Sequence, residues 1–229
     1  MKFKEYREKY QYKLKDDVFI GYIFSVPVSY IFNCLFFSEK LVPNYISFAM
    51  LCCGYIGGVL FSFQNLCFMI VGYVFMHLWF VFDAWDGAVA RQTKKFSKYG
   101  KEFDYVVHLL VHPVMIFGIA QHVENDLCRK ILYFYLLINV IKRGIYLLQF
   151  SINHSATDMK NKDETEETKY KWYLYILDFF YNAPNFILIA PIFIFLKSPV
   201  IFFLLPFVFF ETILLLLLLR HYILKTYLK

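Results

Sequence analysis

Residues 83–108 read DAWDGAVARQTKKFSKYGKEFDYVVH, and this stretch decides what the rest of the chain has to be. Asp83 and Asp86 lie three residues apart, Asp104 and His108 four apart, and Arg91 two turns beyond Asp83. On helices these spacings project side chains from one face. Gly87 follows Asp86 directly, and Gly100 precedes Asp104 by a turn, so both leave room beside the charged groups. The stretch sits between strongly apolar segments, where uncompensated charge is costly. Three carboxylates with an imidazole call for a counter-charge, and a divalent cation supplies it.

The flanking sequence is membrane-like. Of the 229 residues 59% are apolar and 22% aromatic, which excludes an ordinary soluble domain. Apolar runs at 44–63, 66–82, 106–120, 131–150, 172–195 and 199–219 predict six transmembrane helices, the second lengthened by continuing through the motif. The fold class expected is therefore an all-α integral membrane bundle. Two regions are expected: an N-terminal amphipathic and interfacial segment, 1–42, and a six-helix transmembrane domain, 43–229. Within the first region, 1–17 suggests a basic helix on the membrane surface. The apolar stretch 18–37 reads as an interfacial or re-entrant element, with Pro27 breaking or kinking its middle. Pro43 opens the first span, and Gly54, Gly57 and Gly58 give that span a small-residue face for close packing.

The net charge of +6 is concentrated at the N-terminus, in the motif loop (Arg91, Lys94, Lys95, Lys98, Lys101) and at the C-terminus. The positive-inside rule places all three on the cytoplasmic side, together with the motif. Basic residues thus report topology, and with no basic domain carrying base-reading groups, nucleic acid is excluded as a partner. The five cysteines show neither metal-ligand spacing nor a disulfide framework and read as small buried hydrophobes. No cleavable signal peptide is recognisable. The mixed-charge segment 151–171 reads as a solvated connector. Lys142, Arg143, Asp178, Asn182, Asn185 and Glu211 place polar groups inside or near the spans. Snorkelling, or pairing of the basic pair with Asp178, accounts for Lys142 and Arg143 more simply than binding of a phosphate. His77 and His112 read as helix-packing residues.

The motif resembles the signature of the CDP-alcohol phosphatidyltransferases, D-x2-D-G-x2-A-R-x8-G-x3-D-x3-D. Asp83, Asp86, Gly87, Ala90, Arg91, Gly100 and Asp104 fall on it with every gap intact, and the last position departs, with His108 where the family has aspartate. The Pro43-Asn44-x-x-Ser47 opening of the first span is also similar to the family's. The resemblance implies two divalent cations, Mg2+ or Mn2+, held by Asp83, Asp86 and Asp104 with His108 as neighbour. It implies a nucleotide site formed by Gly87, Ala90, Arg91 and Gly100. It further implies catalytic roles for Asp104 and His108, with His108 taking the place of the family's general base.

The activity implied is transfer of a phosphatidyl or phospho-alcohol group from a CDP-linked donor, CDP-diacylglycerol or a CDP-alcohol. The acceptor is a hydroxyl on a lipid or small polyol, and CMP is released. Such a homodimer belongs in a bacterial inner membrane or an internal eukaryotic membrane, in phospholipid or related polar-lipid synthesis. Imidazole works as a base near neutral pH and, as a ligand softer than carboxylate, favours Mn2+ over Mg2+. His108 is read as the working base. The alternatives are a structural substitute, or a catalytically silent protein of the same fold that binds CDP and lipid.

Overall fold

The computed structural model describes residues 2–11, 21–96, 100–154, 179 and 183–227. Among them the chain is an all-α membrane bundle without strands. Helix α1 covers Phe3–Tyr10. A π-helical turn, Gly21–Ser25, leads into α2, Val26–Phe36. Then follow α3 Pro43–Phe61, α4 Leu66–Thr93, α5 Gly100–Ala120, α6 Asp126–His154, α7 Ala183–Phe195 and α8 Ile201–Tyr227. Among the described residues five segments are long and apolar enough to cross a membrane: Pro43–Phe61, Leu66–Thr93, Glu102–Ala120, Asp126–Leu148 and Phe203–Tyr222. They match five of the six expected spans. Of the remaining one, at 172–195, the structure describes Phe179 and the short apolar helix α7; the rest lies outside the described residues. So does most of the connector 151–171, after α6 has run on to His154.

The helix ends follow local chemistry. Pro43 occupies the first turn of α3, where its missing N–H is no loss. Asn65 caps α4 by accepting from the Cys67 N–H at 2.9 Å. Asn125 does the same for α6 through the Cys128 N–H at 3.0 Å. The last turn of α4 closes on Lys94 in the left-handed region, φ 55°.

Lipid offers helices no hydrophobic reason to associate, so close packing has to hold the bundle. The glycine face of α3 provides it. A Cβ on Gly57 would stand 2.8 Å from the Met76 nitrogen of α4, and one on Gly58 2.8 Å from the Val114 carbonyl carbon of α5. Helix α3 therefore touches both neighbours backbone to backbone, and this sets α4 against α5. Trp79, Met50, Met76, Val111 and Met115 fill the junction and are fully buried. Outward-facing side chains such as Phe48, Tyr55, Val74 and Leu137 are exposed, as lipid-facing residues are. All five cysteines are free and, against expectation, none is buried: Cys34 and Cys67 are exposed and the other three partly so, because they lie toward the outward faces of the helices or in the first turns of α4 and α6.

Pro27 lies in the first turn of α2, directly after the π turn, so the regular α-helical winding is interrupted just before the proline, in the middle of 18–37. Helix α2 lies on the second half of α4. Phe32 packs edge-on against Phe82 and Trp85 at 5.5 and 5.8 Å. The Asn33 side-chain oxygen accepts from Trp85 Nε1 at 3.3 Å and from Gln92 Nε2 at 3.1 Å. Helix α1 is anchored as well. Tyr6 is buried with its hydroxyl 3.2 Å from Ser29 Oγ, and burial raises its phenol above the ordinary value, keeping it neutral.

Candidate metal and transfer site

Helix α4 is 28 residues, about 42 Å long, against about 30 Å of hydrocarbon. Asp83 comes roughly 26 Å along it, so the carboxylates stand where the helix is about to leave the apolar layer. The loop after Thr93 turns the chain back, and α5 begins at Gly100, which brings Asp104 and His108 alongside Asp83.

The two halves of the motif meet at His108. Its Nε2 lies 3.4 Å from Asp104 Oδ1 and 3.6 Å from Asp83 Oδ1. Ligand atoms of Asp83, Asp104 and His108 all fall within 4.8 Å of one another. The imidazole is 12% exposed, whereas the Asp83 and Asp104 side chains are 35% and 44% exposed. The centre is thus walled on the protein side and open on the other. The wall is Trp79, whose ring meets His108 edge-on at 4.8 Å and His112 at 5.2 Å.

Asp86 is placed differently. Its Oδ2 accepts from Ser47 Oγ at 2.7 Å, which ties the motif to the opening turn of α3. The geometry groups Asp83, Asp104 and His108, with Asp86 held beside them by Ser47. Arg91 folds back toward the start of α4, as helical side chains do. Its terminal nitrogens would meet a Cβ on Gly87 at 3.1 and 3.2 Å, so Gly87 clears space for the guanidinium. Its Nε donates to the Tyr10 carbonyl at 2.6 Å. Next to that contact, Gln11 Nε2 donates to the Ala84 carbonyl at 3.0 Å, inside the motif itself. A cavity of 410 Å³ opens beside this latch, lined by Tyr10, Phe37, Glu39, Gln92 and Thr93. Ala90 is half-buried on α4, and Gly100 is the first residue of α5.

Two partnerships revise the sequence reading. Lys142 is buried and paired with the buried Glu211 of α8. Asp178, the partner expected from sequence, lies outside the described residues. His112 is fully buried and touches His108, its Nε2 3.2 Å from His108 Nδ1. His77 packs between aromatic rings, as expected, with Tyr73 at 4.5 Å and Phe24 at 4.9 Å. The contacts of Tyr10, Gln11 and Trp79 with the motif carry no sequence signal, because each depends on how distant segments dock.

These features describe an integral membrane protein with a carboxylate–imidazole centre at the end of a span. The model of the CDP-alcohol phosphatidyltransferase family matches residues 40–224, most of the chain, and the protein belongs to that family. No curated protein and no solved structure matches it. Membership makes it a membrane enzyme of phosphatidyl transfer, in a family that uses divalent metals. The residues fit such ions, since two carboxylate oxygens and an imidazole nitrogen converge within 4.8 Å with one side left open.

Proposed function

We propose that this protein transfers a phosphatidyl or phospho-alcohol group from a CDP-linked donor to a hydroxyl acceptor and releases CMP. It acts at the cytoplasmic boundary of the membrane, in phospholipid or related polar-lipid synthesis. The observation that carries the reading is the convergence of Asp83, Asp104 and His108 from two helices, inside a family match that spans the motif.

Asp83, Asp86 and Asp104 would hold two divalent cations, Mg2+ or Mn2+, with His108 beside them. Bound there, the ions offset charge on the phosphates and make the acceptor hydroxyl a better nucleophile. The acceptor oxygen bonds to the phosphorus that carries the alcohol, and the bond from that phosphorus to the CMP oxygen breaks. His108, whose Nε2 faces the two carboxylates, would take the hydroxyl proton. Arg91 supplies a fork of donors for a donor phosphate, with Gly87 and Ala90 keeping the wall of the nucleotide site shallow and Gly100 clearing the start of α5. Both copies of a homodimer would present this centre on one side of the membrane.

The test is CMP release by the purified protein in detergent–lipid micelles, with Mg2+ and with Mn2+. CDP-diacylglycerol is supplied with polyols in one arm, and CDP-alcohols with diacylglycerol in the other. Acceptor-dependent CMP that disappears in His108→Ala supports the reading and gives the direction of transfer. Binding of CDP and metal without CMP in either arm favours a silent binding protein.

A further inference from the structure

We propose that His112 is a positioning residue for this centre: its Nε2 holds Nδ1 of His108 and so turns Nε2 of His108 toward Asp83 and Asp104. The proposal rests on the reading of Asp83, Asp104 and His108 as a metal centre. An aspartate presents equivalent oxygens whichever way its carboxylate turns. An imidazole has two distinct nitrogens and has to be turned correctly. The departure from the family pattern at residue 108 therefore creates a requirement that aspartate does not have.

The geometry meets it. His108 Nδ1 lies 3.2 Å from His112 Nε2, while His108 Nε2 lies 3.4 and 3.6 Å from the two carboxylates. The rings cross at 80°, and Trp79 stands edge-on to both. When Nδ1 of His108 donates to His112, its Nε2 keeps a lone pair for a cation or for the acceptor's proton. A metal-ligating histidine ordinarily has such a partner on its second nitrogen, and it fixes the ring and raises its basicity.

Packing does not account for His112. It is fully buried, and its Nδ1 has no hydrogen-bond partner. Burying an unsatisfied polar atom costs about 1–3 kcal/mol. A phenylalanine would fill the space against Trp79 without that cost.

The experiment is titration of the purified full-length protein in detergent with Mn2+ alone, following the free-Mn2+ signal by electron paramagnetic resonance, with thermal unfolding measured in parallel. His112→Phe is expected to weaken Mn2+ binding by about 10- to 100-fold, with an unfolding midpoint no lower than the wild type. His112→Gln sets an amide where Nε2 stood and is expected to restore most of the affinity. His112→Asn sets its amide short of that position and is expected to bind as weakly as His112→Phe. Should His112→Phe fail to fold, the Gln and Asn pair still decides. Equal affinity in both, or wild-type affinity in His112→Phe, overturns the positioning role. A His108→Ala variant that binds Mn2+ as the wild type does also overturns the positioning role, since His108 is then no ligand, whereas a wild type that takes up no Mn2+ removes the metal-centre reading itself.

Discussion

Among the described residues, the Lys142–Glu211 pair and the Asp83–Asp104–His108 group are built on opposite terms. Lys142 and Glu211 neutralise each other between α6 and α8 at 6% and 0% exposure. Asp83 and Asp104 are a third or more exposed, and they converge with one another on a single imidazole. The first set is a buried ion pair with no open side, although Glu211 Oε1 has no hydrogen-bond partner among the described residues. The second gathers two carboxylates about one imidazole and leaves one side open, where a cation would add to their compensation. Ionisable residues in membrane segments are functional by default, but the comparison shows that the partner decides. A lysine facing a glutamate closes a site, and two half-exposed carboxylates sharing one imidazole leave one open.

The comparison can be broken experimentally. Asp104→Ala should lose CMP release by about a thousandfold or more, equivalent to roughly 4 kcal/mol of transition-state stabilisation. Near-normal turnover would remove the carboxylate centre from the chemistry. Lys142→Ala should cost about 3–5 kcal/mol of stability, because it leaves Glu211 buried and unpaired. By contrast, Lys142→Met combined with Glu211→Leu should be near neutral, since both charges go together. Chemical denaturation in one detergent distinguishes them, and a double variant as unstable as the single would show that the pair does more than neutralise itself. His108→Asp should move the ratio of Mg2+- to Mn2+-supported activity toward Mg2+ by roughly tenfold, since carboxylate is the harder ligand. An unchanged ratio would place His108 outside the metal's reach. Gly87→Ala should have the smallest effect, a severalfold rise in KM for the CDP-linked donor. The added methyl meets only the mobile end of Arg91, at 3.1 and 3.2 Å. A collapse of kcat instead would mean that Gly87 borders the reacting atoms.

What the sequence disclosed, and what it withheld, follows from the range of the interactions. The convergence of Asp83, Asp104 and His108 was legible because helical spacing and one short loop nearly determine it. The small-residue face of α3 was legible because tight helix packing tolerates little else. The Ser47–Asp86 contact was not legible: Ser47 stood out only through the likeness of the first span's opening, which does not say what it touches. The Lys142–Glu211 pair was not legible as a pair, although both residues stood out, because the register between α6 and α8 is set by packing along their whole length. The hold of Tyr10 on Arg91 uses a backbone carbonyl, which every residue possesses and no composition reveals. The interruption at Pro27 was legible from the proline, but the π turn that accommodates it was not.

The overhang of α4 has a consequence for the membrane around it. A helix about 12 Å longer than the hydrocarbon it crosses cannot hide its excess. It tilts, or it stands proud of the lipid. Either response depends on bilayer thickness, and each costs fractions of a kcal/mol per ångström of mismatch. The centre rides at the emerging end of that helix, so its depth is set by the lipid around it. The distance of the candidate centre from the bilayer surface would in this way vary with the thickness of the lipid.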